Sequence, residues 1–140
     1  SAHPVMSTDF FTTFVKAAGG KPEGAGPIDG VDLMPLLEGG DKLEREALYW
    51  HYPHYSNQGG FPGAAVRMGD WKLIERFEDG KVHLYDLSKD VGERNDLASK
   101  HPDRVNAMRE KLHAWYKEVD AKFLQPKKAD GPQPWRPGKN

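Results

Sequence analysis

Cysteine is missing from all 140 residues, which removes disulfides, thiolate metal sites and cysteine nucleophiles from the chain. No apolar run approaches the roughly 20 residues that a bilayer-spanning helix needs, so no membrane partner is expected. An excess charge of either sign is also lacking: 20 Lys and Arg stand against 21 Asp and Glu, a formal net charge of −1. No basic stripe is long enough to follow a phosphate backbone, and nucleic acid is not an expected partner. The N-terminus has no charged segment followed by an apolar stretch, and it starts Ser1-Ala2-His3 without methionine. The expectation is a soluble piece of a longer protein.

What is present is a polar globular composition, 37% hydrophobic and 29% charged, with 15 Gly and 11 Pro. That mixture predicts short elements joined by many turns around one core. Ser7, Thr8 and Asp9 offer helix-capping oxygens, and Phe10, Phe11, Phe14, Val15 and Ala18 then recur at helical spacing before Gly19-Gly20. Asp32 can cap a second short turn bearing Leu33, Met34, Leu36 and Leu37. These two pieces carry more apolar surface than 40 residues can cover, which predicts packing on something else or self-association.

From Ala47 the period changes. Residues 47–52 read as an aromatic strand ended by Pro53, and residues 53–63 form a loop broken by Pro53, Gly59, Gly60, Pro62 and Gly63. Residues 65–68 and 71–77 flank Gly69-Asp70 as a hairpin, and Asp79-Gly80 turns the chain into a further strand over 82–87. The simplest arrangement is a four-stranded antiparallel meander. In the third strand Trp71, Leu73 and Phe77 share the apolar parity, while Lys72, Ile74 and Arg76 take the solvated one. After Pro102, the residues Val105, Met108, Leu112, Trp115, Val119 and Phe123 make a core-facing helical stripe, with Glu118 and Lys122 as a pair four residues apart. The tail, with Pro126, Pro132, Pro134 and Pro137, should be extended and anchored by Trp135.

Four blocks then stand in a familiar order: Ser-Thr-Asp-Phe-Phe-Thr-Thr at 7–13, Asp-Gly-Val-Asp-Leu-Met-Pro-Leu-Leu-Glu-Gly at 29–39, Val-Arg-Met-Gly-Asp-Trp-Lys-Leu-Ile at 66–74, and Leu-Tyr-Asp-Leu-Ser-Lys-Asp-Val-Gly-Glu-Arg-Asn-Asp-Leu-Ala at 84–98. Together they resemble the C-terminal third of the formylglycine-dependent sulfatases, arylsulfatase-like hydrolases of the alkaline-phosphatase-like superfamily. Thr12 and Val91 depart from the pattern, each standing where relatives often carry proline.

The resemblance implies an α+β fold, a four-stranded antiparallel sheet packed against a C-terminal helix and docked on a larger α/β catalytic domain. Residues 1–40 would be the tail end of that domain, 41–124 the antiparallel-sheet subdomain with its helix, and 125–140 a Pro-rich extended tail. It implies a parent that hydrolyses sulfuric esters of aryl or carbohydrate substrates with Ca²⁺ and a formylglycine located upstream, and that is secreted or periplasmic. The Cys/Ser-x-Pro-x-Arg stretch from which formylglycine is made does not occur here. No catalytic residue, metal ligand or cofactor is therefore assigned to this chain, which is not expected to turn over substrate alone.

The remaining functional candidates lie in and behind Tyr49-Trp50-His51-Tyr52-Pro53-His54-Tyr55. His51, Tyr52, His54 and Tyr55 suit a substrate pocket, since aromatic faces stack on rings and imidazoles donate to sulfate oxygens; Arg67 would add a fixed positive charge. Core or interface packing is the competing reading for the aromatics. Zinc on His51 and His54 lacks a third ligand. Asp86, Asp90, Glu93, Asn95 and Asp96 fail the calcium-loop spacing and read as turn caps. His113 reads as a surface or interface residue. Beside the sulfatase reading stand a phosphoesterase or phosphonate hydrolase of the same superfamily and a non-catalytic carbohydrate-binding or interaction module.

Overall fold

The computed structural model describes residues 1–57, 59–127, 130–131 and 133–138. Gln58 of the glycine-rich loop and Pro132 of the tail lie outside the described residues. The chain divides into two compact units, residues 1–45 and 46–140.

The first unit holds helix α1 (Asp9–Ala17), a 3-10 turn (Pro22–Ala25) and the one-turn helix α2 (Met34–Leu37). Phe10, Phe11 and Phe14 of α1 are exposed, in keeping with the excess apolar surface of this segment, while Asp9, Thr12 and Thr13 are inside. Hydrogen bonding explains the polar interior side. Asp9 Oδ1 accepts from Val31 N–H at 3.0 Å and from Arg45 Nη1 at 2.6 Å. Its Oδ2 accepts from Met6 N–H at 2.7 Å and from Arg45 Nη2 at 3.1 Å. Thr12 Oγ1 donates to the Gly30 carbonyl at 2.9 Å, and Thr13 Oγ1 accepts from Leu33 N–H at 2.9 Å. A Cβ at Gly30 would overlap the Thr8 carbonyl, so only glycine lets this segment approach α1. Asp9 is thus an internal charge anchor rather than the expected helix cap, whereas Asp32 does accept from Met34 N–H at 2.9 Å.

The second unit contains β1 (Leu48–Tyr52), β2 (Gly63–Met68), β3 (Trp71–Arg76) and β4 (Val82–Asp86), a 3-10 turn (Ala98–Lys100) and helix α3 (Pro102–Glu118). The sheet runs β1-β2-β3-β4 with every neighbouring pair antiparallel. Gly69 turns the β2–β3 hairpin with φ of +57°, a left-handed conformation that favours glycine. Ala64, Val66, Leu73 and Leu84 on one sheet face meet Val105, Met108, Leu112 and Tyr116 of α3, and Phe77 closes the core beyond β3. The fold is the α+β meander under a helix that the strand periods imply.

Three details differ from expectation. Helix α3 stops at Glu118, so Val119 and Phe123 are not on its stripe; Asp120, at φ of +48°, turns the chain, and Phe123 reaches the core from an extended segment. Lys122 accordingly pairs with Asp120 rather than Glu118. The fourth buried position of α3 is Tyr116, while Trp115 stacks half-buried on Tyr49 with ring centroids 4.8 Å apart.

The third difference is chemical. Glu75 occupies the core parity of β3 between Leu73 and Phe77 and has no exposed surface. Arg109 Nε donates to its Oε1 at 2.8 Å, His113 Nε2 lies 2.9 and 3.0 Å from its two oxygens, and Tyr116 hydroxyl donates to Oε2 at 3.1 Å. His113, expected at the surface or an interface, is therefore part of a network around a buried carboxylate. Burial, then the Glu75 charge and hydrogen bond, push the Tyr116 phenol far above its ordinary range, so it stays a donor. Trp135 anchors the tail as expected, stacking on Phe77 at 6.2 Å.

Two outcomes follow for stability. Glu75→Ala strands Arg109 and His113 and should cost about 3 kcal/mol in urea unfolding, whereas Lys111→Ala, which breaks an exposed pair with Glu46, should cost under about 0.5. Burial raises the Asp9 carboxyl, but hydrogen bonds from Arg45, Met6 and Val31 outweigh it and hold it below the usual range. A depressed carboxylate stabilises above its unfolded pKa of about 4 and loses that contribution as pH falls through the lower folded value. Thermal unfolding of Asp9→Asn should therefore depend less on pH between about 5 and 2 than the parent sequence does.

Candidate functional site

β1 divides its aromatics between two faces, because strand side chains alternate. Tyr49 and His51 point toward α3; Trp50 and Tyr52 point away and are exposed. His51 sits among Phe77, Phe123 and Tyr116, at ring distances of 5.2, 5.4 and 5.7 Å. Its Nε2 lies 2.6 Å from the Lys122 carbonyl. A carbonyl only accepts, so Nε2 carries the proton, and Nδ1 is buried without a partner among the described residues. His51 therefore ties β1 to the segment after α3.

Tyr52 and His54 meet edge to face at 5.4 Å, both exposed where β1 runs into the loop. Tyr55 hydroxyl donates to Glu78 Oε1 at 3.0 Å, and that hydrogen bond, then burial and the Glu78 charge, raises the phenol above its ordinary value. Arg76 donates to Glu78 Oε2 at 2.7 Å and lies over the Phe61 ring at 4.9 Å. The result is an exposed aromatic and imidazole patch with Arg76 and Glu78 behind it.

Arg67 is elsewhere. It pairs in register with Leu48 at the start of β1, while Tyr52 pairs with Gly63, so four residues or about 13 Å of strand separate them. Its Nε donates to the Gly69 carbonyl at 2.9 Å. The structure thus brings Tyr52 and His54 together, and leaves His51 on the opposite sheet face and Arg67 at the opposite sheet end. Arg76 and Glu78 were missed in the sequence, although the Gly69-Asp70 turn fixes the register that sets Arg76 across from Gly63.

Of the acidic residues beyond β4, Asp86 Oδ1 accepts from Ser88 N–H at 3.1 Å, and Asp90 Oδ2 from the N–H groups of Arg94 and Asn95 at 2.8 and 2.7 Å. Asp96 Oδ1 accepts from Leu84 N–H at 3.0 Å and closes the outer edge of β4. Glu93 pairs with Lys72 at 2.5 Å. Among the described residues no group of three or more His, Cys, Asp or Glu side chains can hold a metal ion. The described residues thus offer no ligand set for Ca²⁺, and the sequence holds no Cys/Ser-x-Pro-x-Arg stretch from which formylglycine could form. No helix among the described residues is long and apolar enough to cross a membrane.

The described residues of the second unit form a four-stranded meander under one helix, a small α+β layer whose fold does not by itself assign an activity. Residues 1–122 match the family described as N-sulphoglucosamine sulphohydrolase, C-terminal. The chain is 31% identical over 126 residues to a sulfatase of Formosa agariphila, covering 79% of this chain and 23% of that one. It is 33% identical over 136 residues to human arylsulfatase A, covering 77% and 26%. A solved structure in complex with its substrate D-glucosamine-2-N,6-O-disulfate superposes with a TM-score of 0.65 at 27% identity, over 80% of this chain and 24% of that one. The chain belongs to this family of sulfatase C-terminal domains. It spans about a quarter of the length of these relatives.

Packing and exposure separate the candidates by experiment. His51→Ala, which empties a ring-lined site and loses a hydrogen bond, should lower stability by about 2 to 3 kcal/mol in chemical denaturation. Tyr52→Ala and Tyr55→Phe should stay within about 0.5 kcal/mol of the parent sequence.

Proposed function

We propose that this chain is the substrate-side, non-catalytic C-terminal part of an enzyme that hydrolyses sulfuric esters of carbohydrates, with the loop bearing Tyr52, His54 and Tyr55 shaping the substrate site. The observation that carries the loop assignment is the exposed Tyr52–His54 pair, two ring side chains in contact with each other and not with the core. Tyrosine faces stack on the C–H faces of sugar rings, and imidazole N–H donates to sulfate or hydroxyl oxygens. Arg76 and Glu78 would hold Tyr55 in place, and His51 would act as a positioning residue by fixing β1 from below.

Carbohydrate is preferred over aryl sulfate because a relative of known structure was solved with a sulfated glucosamine as its substrate. The phosphoester alternative gains nothing from the family match. The nucleophile, with its formylglycine, and Ca²⁺ belong in this reading to the rest of the enzyme, whose secretion would suit an extracellular glycan. Exposed Phe10, Phe11 and Phe14 on α1 would pack against that remainder, and in its absence would drive self-association.

In the whole enzyme, Tyr52→Ala and His54→Ala should each lower kcat/KM for a sulfated saccharide about tenfold, mainly through KM, with Tm unchanged. Unchanged kinetics in both variants would overturn the loop assignment.

A further inference from the structure

Helix α3 and the tail enclose a second groove that the loop reading does not use. Its polar end, about 530 Å³, is lined by Arg109, Glu110, His113, Lys117 and Trp135. Its apolar end, about 270 Å³, adds Tyr116, Phe123 and Pro137. His113, Lys117 and Gly138 line both, so the two ends are continuous.

Arg109, His113 and Lys117 are four residues apart and rise about 6 Å each along one side of α3. Arg109 and Lys117 keep donors in hand. Arg109 spends Nε on Glu75, and its Nη groups have no partner among the described residues. His113 spends Nε2 on the same carboxylate, and Lys117 Nζ has no partner among the described residues. Among the described lining residues Glu110 is the one acid.

Both walls are held by contacts to the sheet. Glu75 clamps Arg109 and His113, so little side-chain entropy is lost when a ligand binds. On the other wall Trp135 stacks on Phe77 and lies so close to Gly80 that any side chain there would overlap the indole. Two cationic side chains, Arg109 and Lys117, beside aromatic and proline faces suit a chain whose anionic groups recur every few ångströms between apolar ring faces.

We propose that this groove binds a sulfated saccharide, with sulfate groups on Arg109 and Lys117 and a sugar ring against Trp135. The choice of a sulfated sugar rests on the function proposed above. The groove itself rests on geometry within residues 46–140.

The test titrates the 140-residue chain, labelled with ¹⁵N, with three probes: a heparin-derived hexasaccharide, the same hexasaccharide chemically desulfated, and inorganic sulfate. The sulfated hexasaccharide should shift amides along residues 106–117 and the Trp135 indole N–H, and bind more tightly than either other probe. Lys117→Glu should weaken it roughly tenfold, and Lys111→Glu, the same charge change at another exposed lysine of α3, less than about twofold. Equal weakening by the two variants, shifts outside the groove, equal binding of the desulfated sugar, or inorganic sulfate binding as tightly as the hexasaccharide would each overturn the proposal. The shift map of the unsubstituted chain decides even if a variant fails to fold. Failure here leaves the loop reading standing, because that is read from turnover by Tyr52 and His54 variants.

Discussion

A fully buried carboxylate governs how the second unit closes. Taking Glu75 out of water costs several kcal/mol unless donors replace its hydration, and the donors all come from one helix. Arg109, His113 and Tyr116 stand at spacings of four and three on α3, so satisfying Glu75 fixes the rotation of the helix about its axis and its position along β3. Once that rotation is set, Val105, Met108 and Leu112 face Val66, Leu73 and Leu84, and the apolar core assembles in one register. The carboxylate contributes uniqueness more than raw stability, since an apolar residue of similar volume with apolar partners would cost less to bury. The same two residues, Arg109 and His113, also line the groove beside the tail.

Much of this architecture was readable from periods alone. Alternation over residues 71–77, two Gly-containing turns and a helical stripe starting at Val105 are enough to set a four-stranded meander under a helix. What alternation could not reveal is that position 75 breaks the apolar series while keeping its parity: a glutamate between Leu73 and Phe77 reads as solvent-facing until three donors on α3 are seen to meet it. The same blindness hid Tyr116, whose hydroxyl made Trp115 look like the better core residue. In the first unit the phenylalanines of α1 were visible at helical spacing, yet the helix buries its threonines and Asp9, because Arg45, a distant residue in sequence, supplies the counter-charge.

The candidate site was legible as a cluster in sequence and is divided in space. Residues 51–55 are adjacent along the chain, but strand alternation sends His51 beneath the sheet and Tyr52 above it. Sequence proximity says nothing about face, and the register sets Arg67 across from Leu48, at the end of β1 away from the loop. The residues that register does bring beside the loop, Arg76 and Glu78, come from the far end of β3. In the function proposed above, this layer would bring binding surface while the chemistry would lie in the remainder of the enzyme.

That division of labour is the central claim, and complementation tests it most directly. The whole enzyme, a version lacking residues 1–140, and the 140-residue chain would each be assayed for hydrolysis of a sulfated saccharide, alone and with the two pieces mixed. The account predicts turnover by the whole enzyme, none by the chain alone, and recovery of activity on mixing. Hydrolysis by the chain alone, or undiminished turnover by the version that lacks it, would contradict the account.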